Sequence, residues 1–326
     1  MNFQFFRTNA IGVAVSIGIA LLAIYLNALI GFNTILIALL LGIVLGNVIR
    51  IPESFNIGIK TSSSLFLELA IVLMALNIDY GRFLALGWET ILIVTLTIIV
   101  ILWATIQLGK KMNCPSSAGL LVGFGTAICG SSAIAALAPS VSKDKSDIGI
   151  AMAVVNLYGL IGMLVLPLLT QEYFSEIQNG VLLGVSLHSV GNVAGAGFGM
   201  SEAIGELAVT VKLGRVALLT PALLVFGHFT SLKKDKTTSQ NLNLPWYLIA
   251  FIFISIVVSL ISVPSEILTY SKQGSNLLLA IAMAAIGLKV SFKTLLSSGK
   301  KGLIFGGILF IIQLAVIGIL MFALGI

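Results

Sequence analysis

Apolar residues occur in this chain as long blocks separated by short polar intervals, at 11–30, 33–49, 62–78, 90–108, 119–138, 148–169, 177–196, 205–229, 245–262, 275–296 and 302–324. A helix of about 20 apolar residues spans the hydrocarbon core of a bilayer. The pattern therefore predicts an all-α polytopic membrane protein with about eleven transmembrane helices. The intervals are short except at 231–243, which is polar and Lys-rich, so residues 1–326 form a single integral membrane domain. An odd count with one extra helix, 11–30, fits two inverted five-helix repeats, about 33–170 and about 177–325, entering the membrane from opposite sides.

Composition agrees with this pattern. Of 326 residues, 58% are hydrophobic and 9% charged, and the mean hydropathy is +1.13, which excludes a soluble domain covered by charge. The first block has no small-residue cleavage site and is expected to be a retained span. The net charge of +6 points to positive cytoplasmic loops and not to a nucleic-acid partner. With the N-terminus cytoplasmic, Arg7, Arg50, Lys60, Lys110, Lys111, Lys233, Lys234, Lys236, Lys300 and Lys301 share that side, against Arg82, Lys143, Lys145 and Lys272 opposite. A multi-pass protein of the cell inner (plasma) membrane is expected. Cys114 and Cys129 suggest neither a disulfide framework nor a metal site, and no cofactor is implied.

The fifth span carries Gly123, Gly125, Thr126, Cys129, Gly130, Ser131 and Ser132 in its middle, residues that hold a helix poorly against lipid. A helix break at Gly125 is expected, because an unwound turn survives in a membrane only when it is buried in protein or faces a polar cavity. The half-helix starting near Gly130 would aim N–H groups and the positive end of its dipole at that cavity, beside the hydroxyls of Ser131 and Ser132. That arrangement suits an anion. The tenth span also has a polar interruption, at Gly287, Lys289 and Ser291, which predicts two crossed discontinuous helices. A competing pattern exists: Ala75-Leu-Asn-Ile-Asp-Tyr80 matches Gly287-Leu-Lys-Val-Ser-Phe292 position for position. On that pattern Lys289 simply ends a helix at the cytoplasmic surface.

Lys212 and Arg215 lie three residues apart on one face of the eighth span, where an ionised side chain costs several kcal/mol without a partner or a wet cavity. Glu68 in the third span is a candidate ion-pair partner for one of them, leaving the other to face an anion. In the seventh span His188, Ser189 and Asn192 form a second polar focus; His188 either bonds a backbone carbonyl, donates to an anion or relays a proton. His228 reads as a solvated terminal residue. Asn156 in the sixth span either bonds a neighbouring helix or lines the cavity, with a coupling role as the sharper option.

The run Gly125-Thr-Ala-Ile-Cys-Gly-Ser-Ser-Ala-Ile-Ala-Ala136 resembles the signature of the YeiH-like membrane proteins, a family described as sulfate exporters. The His188 segment, Val211-Lys-Leu-Gly-Arg215 followed by Pro221, and Ala282-Met-Ala-Ala-Ile-Gly-Leu-Lys289 extend the likeness over nearly the whole chain. Many members place an acidic residue directly after the histidine, where this chain has Ser189. The resemblance implies kinship with bile-acid sodium symporters and sodium/proton antiporters, an elevator-like motion, a homodimer, and sulfate or a related sulfur-containing oxyanion as substrate. Such an anion would be held by Thr126, Cys129, Gly130, Ser131, Ser132, His188, Ser189, Asn192, Lys212, Arg215 and Lys289. Two alternatives stay open. One is a sodium- or proton-coupled carrier of another solute, although Asn156 has no adjacent carboxylate. The other is an intramembrane enzyme or sensor with Cys129 as nucleophile and His188 as base, although no third residue is placed to complete a triad.

Overall fold

The computed structural model describes residues 3–30, 33–49, 51–77, 87–112, 116–141, 145–219, 222, 225, 246–261, 263–290 and 300–326. Among the described residues there is no strand. The helices are α1 (Phe3–Ile30), α2 (Thr34–Val48), α3 (Glu53–Met74), α4 (Gly87–Met112), α5 (Ser116–Ala127), α6 (Ser131–Val141) and α7 (Lys145–Thr170). They continue as α8 (Glu176–Ser186), α9 (Val190–Met200), α10 (Glu202–Ala217), α11 (Trp246–Leu260), α12 (Ser265–Lys289) and α13 (Lys300–Leu324). Ala10–Leu29, Glu53–Met74, Gly87–Met112, Asp147–Thr170 and Lys300–Leu324 are each long and apolar enough to cross a membrane.

The chain divides into two compact units. The first comprises Met1–Gly81, Phe198–Glu202 and Pro245–Phe292. Lipid is as apolar as leucine, so its helices associate through close packing and polar contacts. A Cβ on Gly42 of α2 would lie 2.3 Å from the Ala284 carbonyl oxygen, and one on Gly287 of α12 would lie 2.4 Å from the Leu39 carbonyl oxygen. Glycine lets these two backbones touch. Asn33 caps α2, its Oδ1 accepting from Ile35 N at 2.9 Å, while its Nδ2 donates to the Phe198 carbonyl at 2.6 Å. The α9–α10 turn is held further by Lys272, 2.6 Å from Glu202.

The second unit comprises Arg82–Gly197, Ala203–Leu244 and Lys293–Ile326. Two interruptions organise it. Between α5 and α6, Ile128, Cys129 and Gly130 form a turn in which Gly130 has φ +76° and donates its N–H to the Gly125 carbonyl at 2.9 Å. That left-handed backbone favours glycine. Between α8 and α9, Leu187 is extended (φ −69°, ψ 144°), and Ser189 Oγ accepts from Asn192 N at 3.1 Å, capping α9.

Two expectations need correction. The fifth span is interrupted at Ile128–Gly130 and not at Gly125, which is helical within α5 and leaves room for Ile134 and Val155. The second interruption lies in the seventh span, at Leu187–Ser189, whereas α12 runs unbroken through Gly287. Gly287 is there for the close approach to α2, a use of glycine that the sequence does not distinguish from breaking. Glu68 belongs to the first unit, where it accepts from Trp246 Nε1 at 2.6 Å. Ser291, His228, Pro221 and the 231–243 linker lie outside the described residues.

Candidate functional site

The two interruptions of the second unit meet. A Cβ on Gly130 would sit 3.3 Å from the His188 carbonyl oxygen, so the two turns are in van der Waals contact. Each turn ends one helix and begins another, which places two C-terminal ends, α5 and α8, and two N-terminal ends, α6 and α9, at one locality.

Lys212 and Arg215 of α10 reach this locality and are fully buried. Arg215 Nε donates to the Ala127 carbonyl at 2.8 Å, Nη2 to the Thr126 carbonyl and Nη1 to the Val185 carbonyl. Lys212 Nζ donates to the Ile128 carbonyl at 3.0 Å and to the Leu187 carbonyl. A helix terminus leaves its last carbonyls without intrahelical partners, and a buried orphan is costly in a membrane. The two bases satisfy those of α5 and α8 together, tying one interruption to the other. Their spacing of three on one helix face lets both reach the same place.

The charge balance is uneven. Each helix C-terminus carries roughly half a negative charge, so two of them offset about one of the two cations. The N-terminal ends of α6 and α9 add about half a positive charge apiece. No Asp or Glu is among the buried residues of the described chain. With Lys212 and Arg215 both protonated, the locality carries a positive excess.

The remaining predicted residues distribute as follows. Thr126 and His188 are buried and joined, Nε2 lying 3.3 Å from the threonine Oγ1. Cys129 Sγ lies 3.0 Å from Ser132 Oγ, with Ser132 exposed and Ser131 half-buried at the start of α6. Asn192 packs against Gly159 of α7, where a Cβ would fall 2.1 Å from its Nδ2. Ser189 is half-buried at its cap position, and Asn156 is exposed on α7. Lys289 and Glu68 belong to the first unit; Lys289 ends α12 and donates to Ser63 Oγ at 3.2 Å.

One contributor was missed by sequence reasoning. Gln313 of α13 is fully buried and donates from Nε2 to the Val185 carbonyl at 2.9 Å, sharing that acceptor with Arg215. Its signal was available, since it is a polar side chain midway along the apolar block 302–324. Phe310 of the same helix lies against the His188 ring, centroids 5.4 Å apart. Among the described residues no group of three His, Cys, Asp or Glu is placed to hold a metal ion.

Comparison with known proteins bears on identity. The family model described as Conserved hypothetical protein 698 matches residues 11–306. A UPF0324 membrane protein of Lactiplantibacillus plantarum is 33% identical over 285 residues, covering 83% of this chain and 84% of the relative. Another, of Bacillus anthracis, is 31% identical over 323 residues, covering 96% and 94%. No solved structure matches the chain. The chain thus belongs to the Conserved hypothetical protein 698 (UPF0324) family of membrane proteins, the same family as the YeiH-like proteins whose motifs it carries.

Proposed function

We propose that this chain is a secondary active transporter of a small anion, sulfate or a related sulfur-containing oxyanion, in the cell inner membrane with its N-terminus cytoplasmic. The observation that carries the reading is the pair of fully buried basic residues, Lys212 and Arg215, where two helix interruptions meet and, among the described residues, no carboxylate is buried. A buried positive excess attracts an anion. The cations themselves are engaged by carbonyls, so the ligands offered to the anion are the N-terminal N–H groups of α6 and α9 and the hydroxyls of Ser131, Ser132 and Ser189.

Alternating access of the elevator kind suits a chain in which one compact unit holds the whole cluster, and homodimerisation is the arrangement we expect for it. A sodium site is less favoured, because sodium needs oxygen ligands and five carbonyls here already accept from Lys212 and Arg215. Chemistry at Cys129 is disfavoured too, since its sulfur pairs with Ser132 while His188 Nε2 pairs with Thr126. The test is uptake of radiolabelled sulfate by proteoliposomes, with and without proton and sodium gradients. Saturable uptake that weakens in a Ser131→Ala/Ser132→Ala variant supports the reading. Absence of uptake by folded protein under every gradient removes sulfate as the substrate.

A further inference from the structure

We propose that His188 is the proton carrier of the anion site: one proton bound at Nδ1 travels with each anion. The proposal rests on the anion reading above and adds the coupling ion and its stoichiometry.

The geometry isolates one atom. The His188 ring is 2% exposed, and its Nε2 faces Thr126 Oγ1 at 3.3 Å. Nδ1 is buried and has no hydrogen-bond partner among the described residues. Ser186 Oγ and Gln313 Oε1 are buried without partners too, and Gln313 bonds the carbonyl of Val185, adjacent to Ser186. An imidazole nitrogen buried in this way is unusual, because buried polar atoms are normally paired. It is waiting either for a proton or for a ligand.

The neighbours decide which pairing is stable. From α10 come Lys212, bonded to the carbonyl of Leu187 beside His188, and Arg215, bonded to the carbonyls of Val185 and Thr126. From the α5–α6 turn come Thr126 and Cys129, the latter with its sulfur against Ser132. From α7 comes Gly159, from α9 Asn192, and from α13 the neutral Phe310 and Gln313. None of these is a carboxylate. A proton on Nδ1 would add a third positive charge to a site already in excess, which is unfavourable while the site is empty. An anion reverses the sign of that interaction, and the new N–H of Nδ1 then has an oxygen to donate to. Proton and anion therefore bind as a pair, each favouring the other by the same factor. The proton comes from the water on one side, occupies the Nδ1 lone pair during the crossing and returns to water on the other side with the anion. It follows that an inward proton gradient drives uptake, the reverse of the direction in the family description.

The experiment uses the full-length protein in proteoliposomes enclosing a pH-sensitive dye, with sulfate as the probe. Wild type should acidify the lumen as sulfate enters. Its apparent affinity should fall about tenfold per pH unit of rise over the interval in which anion binding takes up the proton. His188→Gln should neither accumulate labelled sulfate under a pH gradient nor acidify the lumen, and whatever exchange of internal for external sulfate it keeps should be weaker than that of wild type and independent of pH. Accumulation by His188→Gln equal to wild type overturns the proposal and leaves anion transport standing. Should His188→Gln fail to exchange, wild type alone decides: sulfate entry without acidification overturns the proposal, and acidification supports it. If wild type neither takes up nor exchanges sulfate, the sulfate reading and this proposal fall together.

Discussion

Arg215 is the residue whose replacement tests the architecture of the helix meeting most sharply. In Arg215→Lys the charge is kept, so the electrostatic attraction for an anion is nearly unchanged, but one ammonium replaces three separate donor nitrogens. The three acceptors, the carbonyls of Thr126, Ala127 and Val185, lie on two different helix ends. A single ammonium on a shorter reach cannot serve all of them, and at least two bonds are lost. Interhelical hydrogen bonds inside membranes are worth about 0.6 kcal/mol on average and up to about 1.7. Two of them come to about 1–3 kcal/mol. The Val185 carbonyl keeps its bond from Gln313, which holds the loss toward the middle of that range. At about 2.1 cal/mol/K of unfolding entropy per residue over 326 residues, about 2 kcal/mol corresponds to a fall in melting temperature of about 3 °C. Heating the detergent-purified protein in steps and measuring the fraction that stays monodisperse by gel filtration reads this directly. A variant that melts within a degree of wild type would refute the view that Arg215 ties the two interruptions together.

Other expectations follow from the same contacts. Gln313→Leu should destabilise by about 0.5–1 kcal/mol, and combined with Arg215→Lys by more than the two separately, because the pair shares one carbonyl; strict additivity in a thermal double-mutant cycle would argue against that sharing. Gly287→Val should be among the most damaging substitutions in the first unit, since its Cβ would stand 2.4 Å from the Leu39 carbonyl oxygen; folded yield near that of wild type would refute the close approach of α2 and α12. Gly130→Ala forces alanine to φ +76° and should cost about 1–2 kcal/mol of thermal stability with loss of sulfate uptake; unchanged uptake would show that the turn tolerates another geometry.

The sequence showed the membrane class, the helical content and the broken fifth span, because hydropathy and a cluster of poor helix formers are local signals. It did not show which glycine breaks the helix. Gly125, Gly130 and Gly287 look alike in a sequence, yet only Gly130 needs a left-handed backbone, Gly125 makes room for Ile134 and Val155, and Gly287 makes room for α2. The polar focus at His188 was legible, but its role as a second interruption depends on Leu187 being extended, which no propensity forces. Least legible were the partners of Lys212 and Arg215. Sequence reasoning looked for a carboxylate and found Glu68, whereas the acceptors are backbone carbonyls at helix ends, which carry no residue signature.

The claim that an anion binds where the two interruptions meet is tested most directly at Cys129, the buried cysteine of the α5–α6 turn. In a Cys114→Ser background it is the sole thiol of the chain. The rate at which a small maleimide modifies it should fall in a saturable manner as sulfate is added, with no such fall for chloride at the same ionic strength. A labelling rate indifferent to sulfate, at concentrations that saturate uptake, would place the anion elsewhere and contradict the account.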